Sequence, residues 1–261
     1  MKVVILCGGR GARLSEETEV QPKPLVRIGE RPILWHIMKL YSHYRYNDFI
    51  LCIGYKGEMI KNYFLNYDEM HHDFTLKLGS GEKQIHHYGK NTPKWNITFV
   101  DTGGPEAETG SRIARVRPYL EDDEEFFLTY GDGVTNININ KLYEYHKEKR
   151  KVATVTGIKR ADRFGVLEVD DGLANKFAEK PQMAGMTNGG FFVLNKKIFD
   201  YLSEQTTCVF EKEPLLNLVK DKQLAVYYHD DFWQCVDTQK DLMGLNSLYR
   251  KGHTPWMVWD N

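Results

Sequence analysis

Residues 2–7, Lys-Val-Val-Ile-Leu-Cys, make an apolar run that stops at Gly8-Gly9-Arg10-Gly11-Ala12-Arg13-Leu14. A continuous apolar run bounded by glycines predicts a strand buried on both faces. Pro32 then opens a helix to about residue 44, with Ile33, Ile37, Leu40, Tyr41 and Tyr44 on one stripe. Residues 48–53 (DFILCI) predict a second buried strand, and a helix from about 57 to 67 turns Ile60, Tyr63, Phe64 and Tyr67 inward. This alternation of strand and helix specifies a parallel sheet with helices on its faces. Residues 74–78 and 84–88 interrupt it as a hairpin-like excursion around Gly79-Ser80-Gly81. The sheet resumes at 96–101, a loop passes through Thr109-Gly110-Ser111 into another helix, and residues 125–130 form a strand ending in Gly131-Asp132-Gly133.

Beyond a helix at about 140–150 the pattern turns β-rich. Strands are predicted at 152–158, 166–169, 174–178, 190–194 and 223–229, helices at about 195–203 and 210–220, and the segment FWQCVDT closes the series at 232–238. No stretch has the Pro/Gly/Ser bias of a linker, so residues 1–261 read as one α/β domain whose later half forms its own lobe.

The glycine segment is where chemistry enters. Three glycines among residues 8–11 let the backbone turn tightly and approach a ligand, with amides pointing inward as an anion cradle. Arg10, Arg13 and Lys23 add formal positive charge. A dinucleotide fingerprint would need glycine where Leu14 stands, and the Gly-Lys-Ser/Thr of a Walker loop is absent, so this is a phosphate loop of neither kind. Ligands collect at the carboxyl ends of parallel strands, which puts Asp132 on the same rim as this loop. An acid beside a cationic cradle is sensible if a divalent cation lies between them.

A net charge of −1 and a charged fraction of 27% argue against nucleic acid or a membrane surface as partner and favour small molecules. No apolar run approaches the roughly 18 residues of a membrane span, and the short apolar start runs straight into the glycine loop, so a cytoplasmic location is expected. Cys7, Cys52, Cys208 and Cys235 are widely spaced, without a CxxC pair, and read as reduced, mostly buried thiols. The aromatic tail Trp256–Trp259 must dock against its own body or a neighbouring subunit, and a homo-oligomer is expected.

In order along the chain, GGRGARL, PKP, GDG, EKP, NGG and a WxxxDT segment resemble the motif series of the nucleotidyltransferases that activate sugar 1-phosphates. SEETEVQPKPLVRIG, RPILWHIMKLYS, CIGYKGEMIKNYF, NGGFFVLN, FEKEPL and GHTPWMVW are similar to the glucose-1-phosphate cytidylyltransferase branch. The resemblance implies a Rossmann-like mixed, mostly parallel sheet, with a nucleotide-binding half at 1–150 and a sugar-phosphate-binding half at 151–261. It implies the reaction of CTP with glucose 1-phosphate, or a similar phosphorylated acceptor, to a CDP-sugar and pyrophosphate. Gly8, Gly9, Gly11 and Arg13 match contacts to the nucleotide phosphates, with Leu6, Cys7, Arg10, Ala12 and Gly131 in the same site and Thr109 and Arg112 near the nucleotide. Lys23 matches a contact to substrate phosphates, and Arg13, Lys23 and Asp132 would carry the catalysis. Asp132 and Asp237 match a Mg2+-binding pair, while Glu179, Lys180, Asn188 and Gly189, with Gly165, match sugar and sugar-phosphate contacts. Ala12 stands where the loop more commonly has threonine, and regions 104–108 and 68–95 match least.

An acceptor of this type is a phosphate monoester, whose second pKa of about 6 leaves it largely dianionic at neutral pH, so no general base is required. The expectation is a direct in-line displacement at the α-phosphorus in which charge neutralisation and alignment are the catalysis. The alternatives are a different acceptor or nucleotide on the same scaffold, or a module that holds nucleotide without turnover.

Overall fold

The apolar run at the head of the chain becomes β1 (Val3–Leu6), buried at all of its positions. The structure, a computed structural model, describes residues 1–11, 14–86, 92–159, 166–170, 172–178 and 186–259. After β1 come α1 (Ser15–Thr18), the two-residue strands β2 (Arg27–Ile28) and β3 (Arg31–Pro32), α2 (Ile33–His43), β4 (Asp48–Ile53), α3 (Gly57–Leu65) and α4 (Tyr67–His71). The hairpin β5 (Asp73–Lys77) and β6 (Glu82–His86) precedes β7 (Asn96–Asp101), α5 (Thr109–Arg115) and β8 (Glu125–Tyr130). The second half adds β9 (Gly133–Thr135), α6 (Ile139–Lys149), β10 (Ala153–Ile158), β11 (Val166–Asp170), β12 (Leu173–Ala178) and β13 (Met186–Asn195). It ends with α7 (Glu213–Lys220), β14 (Leu224–His229), β15 (Trp233–Cys235) and α8 (Gln239–Arg250).

The central sheet runs β7-β4-β1-β8-β13-β10-β14, with the β11–β12 hairpin joined to the start of β13. Its strands are parallel except β13, which is antiparallel to both β8 and β10. This is the mixed, mostly parallel α/β architecture that the alternating pattern specifies. Because successive side chains leave opposite faces of a strand, β1 feeds two cores. Val3 and Ile5 pack with Ile33, Ile37 and Tyr41 of α2, whereas Val4 and Leu6 join Ile113 of α5 and Leu215 and Leu218 of α7.

Several details differ from the sequence reading. The strand expected at 190–194 begins at Met186, which places Asn188-Gly189-Gly190 inside β13. The helix expected at 195–203 is a 3-10 segment, Lys196–Tyr201. Helix α8 lies past the last segment read from the sequence, although Leu242, Leu245, Leu248 and Tyr249 recur at helical spacing and pack on the core. The C-terminal tail docks on its own chain: Trp256 is buried, 5.5 Å between ring centroids from Phe232, and Trp259 lies 5.9 Å from Trp35. The cysteines are free thiols, Cys7, Cys52 and Cys235 buried and Cys208 half-buried. Among the described residues no helix is long and apolar enough to cross a membrane.

Candidate active site

β1 and β8 lie side by side with Leu6 opposite Tyr130, so the chain leaves both strands at one level. The Gly131 amide donates to the Leu6 carbonyl at 3.1 Å, and Cys7-Gly8 and Gly131-Asp132 emerge as neighbours. Asp237 reaches the same place by a device the sequence did not disclose. Strand β15 pairs with β9, Cys235 opposite Gly133, and the Val236 amide donates to the Asp132 carbonyl at 2.9 Å. The next residues enter α8 through a capping box in which Thr238 and Asp241 bond reciprocally. Asp241 also accepts from the Asp237 amide at 3.2 Å, so the start of α8 holds the backbone of Asp237.

Lys23 joins the two acids. Its ammonium donates to Asp132 Oδ2 and to Asp237 Oδ1, each at 2.7 Å. Burial pulls the Lys23 pKa down, but the charges of Asp132 and Asp237 outweigh it and hold the group above the ordinary lysine value. Gly11 lies directly against the lysine stem: a Cβ built there would sit 3.1 Å from Lys23 Cβ. Glycine loop, lysine and both aspartates therefore occupy one corner. The ammonium is a stand-in cation: two carboxylate oxygens already converge on a positive charge, and hard oxygen donors are what magnesium takes. Among the described residues no group of three or more His, Cys, Asp or Glu side chains is arranged to hold a metal. Two carboxylates fit an ion that is completed by substrate phosphates and water rather than caged by protein.

Arg112, expected near the nucleotide, is bonded to the backbone around the glycine loop. It is buried, and its guanidinium donates to five oxygens: the carbonyls of Gly8 (3.0 Å), Ile53 (3.4 Å), Gly103 (3.1 Å) and Gly104 (2.8 Å), and Thr102 Oγ1 (3.0 Å). Those contacts offset the burial that lowers its pKa, and they tie the loop after β1 to the ends of β4 and β7. They also explain Gly8, where an added Cβ would lie 2.2 Å from the Arg112 guanidinium. The close approach that glycine permits there is to the protein's own arginine. Gly9, by contrast, is exposed and faces open space. Arg10 is also exposed and pairs with Glu106 at 2.7 Å, linking the loop to the 104–108 segment. Burial raises both Cys7 and Cys52, the latter to about 12, so the thiols beside the loop are neutral.

On the other side of Asp132, Thr109 Oγ1 donates to Glu211 Oε2 at 2.6 Å, and the Tyr130 hydroxyl donates to Glu211 Oε1. Burial and then the Glu211 charge hold the Tyr130 phenol well above its usual range. Asn188-Gly189-Gly190 lies at a bulge: Gly157 opposes Asn188 and Val155 opposes Phe192, leaving the intervening residues out of step. The Gly189 carbonyl, at that bulge, accepts from the Trp233 indole at 2.6 Å, so Trp233 supports the backbone here. Ala12, Arg13, Gly165, Glu179 and Lys180 lie outside the described residues. Lys23, Asp132 and Asp237 are brought together with Gly8 and Gly11, and Asn188 and Gly189 sit on the strand beside Tyr130. Glu211 and Tyr130 were missed as participants, although FEKEPL carried the former and TYGDG the latter.

The family model described as Nucleotidyl transferase matches residues 2–252. A probable glucose-1-phosphate cytidylyltransferase of Bacillus subtilis (strain 168) is 50% identical over 260 residues, covering 99% of this chain and 100% of the relative. The glucose-1-phosphate cytidylyltransferase of Salmonella typhi is 46% identical across the full length of both chains. Among solved structures, a putative glucose-1-phosphate thymidylyltransferase from Bacillus anthracis in complex with a sucrose superposes with a TM-score of 0.75 at 18% identity, over 96% of this chain and 95% of that one. HddC from Yersinia pseudotuberculosis complexed with GMP-PN gives 0.72 at 22% identity, over 95% and 99% respectively. These two likenesses extend to the fold.

Proposed function

The chain belongs to the nucleotidyl transferase family, among the glucose-1-phosphate cytidylyltransferases, and we propose that it transfers cytidylate from CTP to glucose 1-phosphate, releasing pyrophosphate and CDP-glucose. The observation that carries this reading is the meeting of Asp132, Asp237 and Lys23 beside the glycine loop, in a chain about half identical to a relative of that name over its whole length. Residues up to about 150 hold the nucleotide, and the later half holds the sugar phosphate. A cytoplasmic enzyme is in keeping with four free cysteines.

An oxygen of the sugar phosphate attacks the α-phosphorus of CTP; the new bond forms as the bond to the β-phosphate oxygen breaks, and the electron pair leaves with pyrophosphate. The attacking oxygen carries no proton at neutral pH, so the protein need not remove one. The amides of the Gly8–Gly11 segment and the charges of Arg10 and Arg13 hold the triphosphate, and Arg112 keeps the loop's backbone fixed from beneath. Lys23 keeps the two acids aimed at one point and has its ammonium where incoming phosphates arrive. Asp132 and Asp237 would hold Mg2+, which when bound would screen the phosphates and stabilise charge on the leaving pyrophosphate. Asn188 and Gly189, with Gly165, Glu179 and Lys180, hold the sugar phosphate in line.

The test is pyrophosphate release with CTP, UTP, dTTP or ATP against a panel of phosphorylated acceptors. CTP with glucose 1-phosphate is expected to give the highest kcat/KM, by at least about tenfold over other pairs. A higher value for another nucleotide or acceptor would replace the substrate assignment, and no release with any pair would leave only a nucleotide-holding module.

A further inference from the structure

Asp241 stands in the first turn of α8, apart from the two acids that converge on Lys23, yet its carboxylate is committed to the short link that carries one of them. Its Oδ2 accepts from the Asp237 amide at 3.2 Å, from the Thr238 amide at 2.9 Å and from the Thr238 hydroxyl at 2.8 Å. Its Oδ1 accepts from Gln234 Nε2 at 3.4 Å, and that same nitrogen donates to the Cys235 carbonyl at 3.0 Å. One carboxylate therefore grips the chain on both sides of Asp237, in β15 before it and at the start of α8 after it. A capping box requires only the exchange between Thr238 and Asp241. The bonds to the Asp237 amide and to Gln234 are additional to it. The side chain of Asp237 is oriented separately, its Oδ1 taking the Lys23 ammonium at 2.7 Å and its Oδ2 accepting from Cys235 Sγ at 3.6 Å. What Asp241 fixes is the backbone from which that side chain departs.

We infer that Asp241 is a positioning residue for the metal: by holding the Asp237 amide and the residues on either side of it, it sets the distance of Asp237 from Asp132 at which both can share one ion. The inference rests on the metal-assisted transfer proposed above. The link is fixed at two successive residues, Val236 by its bond to the Asp132 carbonyl at 2.9 Å and Asp237 by Asp241. A carboxylate bonded to backbone amides makes a charge-assisted contact, stronger than a neutral one. Two protein carboxylates leave little to compensate when one is misplaced, because the ion takes its remaining ligands from phosphate and water. Asp241 could serve in two other ways, as a helix cap or as a nearby negative charge, and each has its own signature.

The measurement is calorimetric binding of a CTP analogue with a methylene between its α- and β-phosphates, which cannot be transferred, in Mn2+ and in EDTA. The ratio of the two affinities is the metal's contribution, and turnover does not enter it. Asp241→Ala is expected to cut that ratio about tenfold, with the affinity in EDTA within about twofold of the parent. Asp241→Asn, whose carboxamide oxygen can still accept from the Asp237 amide, should stay within about threefold of the parent ratio. Thr238→Val, which breaks the capping box and leaves that bond in place, should do the same. A parent-like ratio in Asp241→Ala would overturn the inference. So would a loss in Asp241→Asn as large as in Asp241→Ala, which would make the charge decisive, or an equal loss in Thr238→Val, which would make it the cap. If Asp241→Ala does not fold, Asp241→Glu decides, since it keeps charge and cap but carries its oxygens one methylene further out: a loss of about threefold or more is expected, and a parent-like ratio overturns the inference. A parent that binds the analogue equally in Mn2+ and EDTA would overturn the metal reading and the inference with it, whereas a parent that shows the metal's contribution beside an unaffected Asp241→Ala overturns the inference alone.

Discussion

Asp132 and Asp237 carry like charges toward one point, and without Lys23 between them the site would oppose its own folding. The lysine and Asp237 are buried and Asp132 is half-buried, and removing any one member leaves charge of one sign uncompensated. The sequence made the three residues candidates but could not show that the ammonium bridges both acids, since that depends on a ribbon between distant segments. The same holds for Arg112: TGSR matches a segment near the nucleotide, and only the structure shows the guanidinium donating to the Gly8, Gly103 and Gly104 carbonyls. A second buried titratable residue has a pH signature. His36 Nε2 donates to the Ile28 carbonyl, 3.0 Å away, and the ring lies edge-on to Trp35. Burial lowers its pKa from 6.5 to about 4, with Arg31 adding to the effect. The unfolded chain therefore takes up a proton below pH 6.5 that the folded chain refuses until about pH 4, and stability falls as the pH drops through that window. His36→Gln is expected to shrink the loss of unfolding free energy between pH 7 and pH 4.5 by about 2–3 kcal/mol in urea titrations. An unchanged loss would show that His36 does not carry it.

At the scale of elements, legibility followed burial. Strands β1, β4 and β8 could be read directly because a strand in a parallel sheet, covered on both faces, is a continuous apolar run. Helix α8 and the β9–β15 ribbon, which deliver Asp237, are not among the elements read from the sequence, although α8 carries two signals, Thr238 three places before Asp241 and the helical spacing of Leu242, Leu245 and Tyr249. Asn-Gly favours a tight turn, yet the NGG motif lies at a bulge within β13. Gly190 has φ +78°, and a Cβ there would lie 2.6 Å from the Tyr130 ring. Gly190→Ala should thus lose at least about 2 kcal/mol of stability, from left-handed backbone plus displacement of Tyr130, seen as a lower Tm. An unchanged Tm would mean that the bulge is not rigid.

For the whole molecule, the decisive seam is β8 against β13, the one place where the first half of the sheet pairs with the second. Strand β8 ends at Tyr130, two residues before Asp132, and β13 carries Asn188, so the acid and the Asn-Gly-Gly motif share one edge. Antiparallel pairing at this seam is not legible from residue pattern, since a buried strand has the same apolar run in either direction. The seam is also where the four parallel strands of the first half meet the β-rich second half. The central claim, that Asp132 and Asp237 act on one metal-dependent transfer, is tested most directly by titrating Mg2+ against turnover of CTP and glucose 1-phosphate in the parent, Asp132→Asn and Asp237→Asn. Both variants are expected to lose on the order of a hundredfold in turnover at limiting Mg2+ while keeping the parent's circular dichroism. Parent-like turnover in either variant at limiting Mg2+ would contradict the account.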